Sequence, residues 1–227
     1  MKWYPDPTGR FPQRPYYEGE ELDRECEAIV AAFLKREHGA VAYPITTNDL
    51  TILIEREAAS LDLYADLSVE GEGVEGMTEF FRSGKPAVHV AAELLESGRE
   101  NRLRTTLTHE LGHIKFHGFL WTFEAPQLPR GIGQAAPSPR CHRETIIGAS
   151  QVDWLEWQAG YASGALLIPL SALKRTVREA RKEAGVFGDV AVGSPAGQQI
   201  IRKVQQGYQV SADAARVRLL QRGFLVE

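Results

Sequence analysis

The run His109-Glu110-Leu111-Gly112-His113 lies inside a helical pattern from about Asn101 to His117, and it constrains the fold more than any other feature of the chain. Four residues advance a helix by about 6 Å and nearly a full turn, so both imidazoles converge on one point beside the helix. Zinc is the ion expected there, one per chain, because two histidines and a carboxylate complete its protein ligands and leave a fourth position open. Glu110 stands about 100° further round, placed to act as general base on a water at that point without binding the ion. His117 continues the row, but Cα atoms eight residues apart on a helix are about 12 Å apart, beyond what one zinc bridges with both ends. It reads as a support for a ligand histidine or as a solvated helix end.

The third ligand must then come from a neighbouring element, and a helix from about Gln151 to Ile168, stopped by Pro169, is where it is expected. Steps of three and four along it give one stripe: Asp153, Glu156, Ala159, Gly160, Ser163, Gly164 and Leu167. Small residues on one face let two helices approach closely, which sharing a metal requires. Glu156 is the assigned ligand, since Trp154, Leu155, Trp157 and Tyr161 surround it with apolar side chains and a carboxylate in such surroundings needs a partner. Asp153, one turn earlier, is expected to orient a ligand histidine. Tyr161, His142 and His117 are the candidates for stabilising a tetrahedral oxyanion.

Around this centre the chain divides into further elements. Four prolines and five aromatics within the first seventeen residues give no usable periodicity, so residues 1–18 are expected to be an extended arm whose aromatics pack on the body. Helices are expected over Gly19 to His38, with Gly39 as the stop, and from Thr47 to about Ala58. Leu61 to Leu67 alternates like a strand, and Met77 to Phe81 with Ala87 to Ala91 reads as a hairpin around Ser83-Gly84-Lys85-Pro86. The edge of Ala87–Ala91 is offered as a place for an extended substrate to pair. His89 there reads as a strand histidine without a metal role, and His38 as a cation beside the last carbonyls of its helix. Residues 118–150 carry four prolines and four glycines with no period, the signature of a long loop over a site. Within it, Cys141-His142 raises the idea that the thiol folds onto the open metal position and holds the molecule latent. Ser171 is read as the cap of a basic helix ended by Gly185, Ser194-Pro195 as the start of a helix ending near Gly207, and Ser211 as the start of one ending at Gly223.

At 43% hydrophobic and 25% charged over 227 residues, the composition is that of a globular chain. No apolar run reaches the roughly 18 residues of a membrane span, and the start, MKWYPDPTGR, lacks the apolar stretch of a secretory leader. Two cysteines exclude a disulfide framework, so a cytoplasmic protein is expected. The net charge of −4 hides a split: residues 1–170 hold 16 basic against 25 acidic residues, and 171–227 hold 10 against 5. Arg216, Arg218 and Arg222 give the tail a helix-turn-helix outline that could meet a phosphate backbone. Without interleaved aromatics, the favoured reading is that the tail packs on the catalytic body and its arginines form a solvated face.

Two segments, Thr106-Leu107-Thr108-His109-Glu110-Leu111-Gly112-His113 and Glu156-Trp157-Gln158-Ala159-Gly160-Tyr161-Ala162-Ser163-Gly164-Ala165-Leu166-Leu167-Ile168-Pro169, together resemble the ImmA/IrrE family of zinc metallo-endopeptidases. The resemblance spans roughly residues 40 to 225. It departs from the family at Gly160, where Asn is common, and at Tyr161, where Phe is, and in the length of the arm and of the loop after His113. It implies an α+β, zincin-like fold: a small twisted sheet packed on a metal-bearing helix over residues 19–170, with a mostly helical part over 171–227. It also implies zinc held by His109, His113 and Glu156, Glu110 as general base, and a specific protein substrate, often a transcriptional repressor. The alternative is a zinc-binding regulator or toxin–antitoxin component acting by DNA or partner binding, for which a general base has no use.

Overall fold

In the computed structural model the described residues are 1–81, 83–122, 140–142 and 153–227; for Thr122 and Arg140–His142 only the backbone is considered. The opening arm is not simply extended. Lys2–Pro5 (β1) and Gln13–Tyr16 (β2) pair antiparallel, with Trp3 opposite Pro15. Prolines hid this hairpin, because they suppress strand signals, yet Pro5 and Pro15 are tolerated where a two-stranded ribbon has only one partner per strand. Its aromatics do pack on the body, Trp3 edge-on to Phe119 and Phe11 edge-on to Trp121 and Trp154.

Helix α1 spans Gly19–His38 and begins with a reciprocal cap between Glu18 and Glu21; Gly39, at φ 75°, ends it in the left-handed conformation. Helix α2 (Thr47–Glu57) is capped in the same way by Thr46 and Asp49. His38 does not lie over its own helix end alone: its Nε2 is 2.9 Å from Oδ1 of Asp49, which links the two helices.

A four-stranded sheet follows, from β3 (Ser60–Ala65), β4 (Val74–Glu79), β5 (Ala87–Ala91) and β6 (Arg140–His142), in the order β3-β5-β4-β6. β4 and β5 form the expected antiparallel hairpin, with Met77 opposite His89. β5 is nevertheless an inner strand, parallel to β3 on its other side, so it offers no free edge to a substrate. The near-continuous apolar run Ala87-Val88-His89-Val90-Ala91 suits that place, and only His89 within it is not buried. On the far side of β4 the edge is covered by β6, which pairs Gly76 with Cys141.

Helix α3 (Glu100–His117) lies against β4 and β5, and α4 (Phe119–Thr122) continues from it after Gly118. Helix α5 (Trp154–Leu167) packs on α3 and on α1. Three helices complete the chain: α6 (Leu170–Ala184), α7 (Pro195–Tyr208) and α8 (Ala212–Gln221). Ser194 and Ser211 cap α7 and α8 as read, their hydroxyls accepting from the N–H groups of Gly197 and Ala214. Ser171 caps nothing, because α6 begins at Leu170 with Pro169 in the cap position, and the serine hydroxyl donates instead to Glu27 of α1.

One apolar core joins Leu22, Val30 and Phe33 of α1, Val88 and Val90 of β5, Leu107 and Leu111 of α3, Leu166 of α5, Leu173 of α6, Val204 of α7 and Leu219 of α8. The tail therefore shares the core of the α+β body. Its arginines are not a solvated face throughout: Arg218 is 1% exposed, ion-paired with Asp23 of α1 and donating to the carbonyl of Ile168, while Arg222 reaches the same carboxylate at 3.2 Å. Arg104 of α3 is also fully buried, donating to the carbonyls of Tyr208 and Gln209 at the end of α7, where a helix dipole favours a cation. No helix among the described residues is long and apolar enough to cross a membrane.

Candidate metal centre

Helices α3 and α5 meet closely because both are small where they touch. A Cβ added to Gly112 would lie 3.2 Å from the Cα and carbonyl oxygen of Ala159 and from Cβ of Ala162, so glycine here sets the helix separation. One turn away the hydroxyls of Thr108 and Ser163 are 2.8 Å apart. The small-residue stripe thus divides: Ala159 and Ser163 face α3, whereas Gly164 faces Arg218.

This approach brings Glu156 onto the two histidines. Its Oε2 is 3.0 Å from Nε2 of His109 and its Oε1 is 3.4 Å from Nε2 of His113; the two Nε2 atoms are 3.1 Å apart. A tetrahedral ion with bonds of about 2.0–2.1 Å holds its donor atoms roughly 3.3 Å apart, so this buried trio has the spacing of three corners around one ion. Both imidazoles are fully buried and Glu156 is 6% exposed. Burial alone would raise the Glu156 carboxyl, but His113 and then His109 beside it hold it well below the usual carboxylate range. The same pairing outweighs desolvation at His113 and raises its imidazole. His109, His113 and Glu156 could together hold a metal ion.

Glu110 takes no part in that trio. Its Oε2 accepts a 2.5 Å hydrogen bond from the Thr78 hydroxyl of β4, and its Oε1, though buried, has no hydrogen-bond partner among the described residues. The strand is cut to fit it, since a Cβ at Gly76 would sit 2.5 Å from that oxygen. Burial raises the carboxyl above its ordinary value, offset in part by His113, His109 and the Thr78 bond.

The remaining candidates divide sharply. His117 is wholly buried and not a solvated helix end: its Nδ1 is 3.0 Å from Nδ1 of His113 and its Nε2 is 3.0 Å from Oε1 of Gln158. Burial, then His113 alongside, push its imidazole well below the ordinary histidine value. Asp153 touches neither histidine. It accepts from the N–H of Leu155 as the α5 cap and pairs with Arg10 at 3.3 Å. Tyr161 is turned away as well, its hydroxyl donating to Asp23 and accepting from Arg222, which removes it from any oxyanion role. The side chains of His142 and Cys141 lie outside the described residues, as does most of the 118–150 loop. Cys26 is buried in α1, where burial pushes its thiol well above the ordinary range. His89 stays apart as expected, 3.8 Å from Glu79. Sequence reasoning missed Gln158 and Thr78, whose roles depend on contacts across 41 and 32 residues.

The packing carries a direct expectation. Gly112→Leu should force α5 from α3 and separate Glu156 from the histidines, lowering zinc affinity by at least as much as loss of a supporting hydrogen bond, roughly 10–100-fold. Competition against a chromophoric chelator measures this, and unchanged affinity would show that the helix separation does not set the site.

Comparison of the chain with protein-family models gave no match, and comparison with curated protein sequences gave none at a significant level.

Proposed function

We propose that the chain is a zinc-dependent endopeptidase with a zincin-like catalytic unit, as its resemblance to the ImmA/IrrE family implies. The observation that carries the reading is Glu110. A site that only binds a metal has no use for a buried carboxylate with one oxygen held by Thr78 and the other without a partner among the described residues, next to three converging ligands. His109, His113 and Glu156 are the residues that would hold zinc. The chemistry zinc supplies when bound is acidification of water and polarisation of a carbonyl. Oε1 of Glu110 is the atom assigned to take up the proton and later return it to the leaving amine, and Thr78 keeps the carboxylate oriented for both transfers. The substrate class implied is a specific protein, such as a transcriptional repressor. The alternative, regulation through DNA binding, loses support because Arg218 and Arg222 of the tail are engaged by Asp23.

The test is metal removal. Purified protein should contain a single zinc per chain, and its hydrolysis of candidate repressors should stop after dialysis against a chelator and return with added zinc. Equal cleavage by the metal-free protein would sink the proposal.

A further inference from the structure

The hydrogen bonds behind His113 have a fixed direction, and it is set outside the metal site. Nε2 of Gln158 lies 2.9 Å from the carbonyl oxygen of Pro15 in β2. A carbonyl only accepts, so the amide nitrogen must face Pro15 and the amide oxygen must face His117. That oxygen also only accepts, so Nε2 of His117 carries a hydrogen. In the neutral ring the other nitrogen, Nδ1, is then an acceptor, and the group opposite it, Nδ1 of His113, is the donor. The lone pair of His113 is thereby left on Nε2, the atom that faces His109 and Glu156.

The Pro15 carbonyl is itself held in place. Pro15 is buried opposite Trp3 in the hairpin, and the turn of the hairpin is fastened to α5 where Asp6 accepts from the indole N–H of Trp154 at 3.0 Å. We propose that the Pro15 carbonyl, acting through Gln158 and His117, fixes the tautomer and ring orientation of His113, so that His117 and Gln158 are positioning residues for the metal. The inference rests on the metal-site reading above and extends it to the N-terminal hairpin, which no ligand geometry required.

The experiment uses the full chain with zinc(II) and cobalt(II) as probes. Zinc affinity is measured by chelator competition and the ligand field by cobalt absorption, while thermal unfolding of the metal-free proteins reports the fold. His117→Leu and Gln158→Met should each weaken zinc binding roughly 10–100-fold and alter the cobalt spectrum. His117→Gln should retain much of the affinity, because its amide supplies an acceptor towards His113 and a donor towards Gln158. Wild-type affinity in both Leu and Met variants, or a His117→Gln variant as weak as His117→Leu, would overturn the proposal. If His117→Leu fails to fold, Gln158→Met decides, since a volume-conserving change keeps the packing. A wild-type protein that binds neither ion would instead overturn the metal-site reading beneath it.

Discussion

Glu110→Gln should leave zinc bound and lower peptide hydrolysis by about 10²–10⁴-fold, the usual contribution of a general base. The substitution is nearly isosteric, so the space that Gly76 leaves beside Oε1 still suits it, and the amide oxygen can go on accepting from Thr78. What it loses is the capacity to take a proton. Zinc should remain because Glu110 is not one of the three converging donors. The neutral side chain also removes a buried charge that desolvation opposes, so stability should hold or rise. Metal content and initial rates on the same preparation decide the matter. A wild-type rate in this variant would remove the general-base role, and loss of zinc would mean that Glu110 is a ligand.

The second large effect lies in the core where the tail joins α1. Asp23→Ala should destabilise the protein by about 3–5 kcal/mol, because it strands the buried guanidinium of Arg218 in the core. Arg222 and the Tyr161 hydroxyl lose the same partner. The double variant Asp23→Leu with Arg218→Met should recover much of that loss, since an apolar pair avoids the cost of keeping charges out of water. Denaturant unfolding of metal-free protein measures both. A single variant within 1 kcal/mol of wild type, on the order of an exposed ion pair, would show that the pair is not an internal tie.

The elements that read clearly from sequence are those with strong local chemistry. α1 has its apolar period and its glycine stop, and α3 carries a two-histidine spacing that only a helix turns into one site. Glu156 was legible as a carboxylate without water around it. Its neighbours were not. α5 is apolar nearly all round, so the stripe drawn by steps of three and four was too broad: it set Gly164 beside Glu156, and Tyr161 was offered to the oxyanion, although both meet Arg218, Arg222 or Asp23 instead. Asp153 had a plainer local meaning that was passed over, an acidic residue just before a helix, where it caps. Strand order was beyond the sequence, because the apolar run of β5 fits an inner strand as well as an edge. The hairpin β1–β2 was hidden by its prolines. The arginines of the tail show the same limit from another side: nothing local distinguishes Arg218, buried inside the molecule, from Arg216, which is only half-buried.

Helix α5 touches α3, α1 and α8 along its length and the hairpin at its start. Most of its residues are buried and only Trp157, Gly160 and Gly164 are partly exposed, so hydrogen exchange at most of its amides requires a neighbouring helix to move. The position of Glu156 then rests on the packing of the whole helix against its neighbours and not on its own turn alone. To move that carboxylate is to move a helix that several others hold, so a change at the centre is felt in the packing of the core.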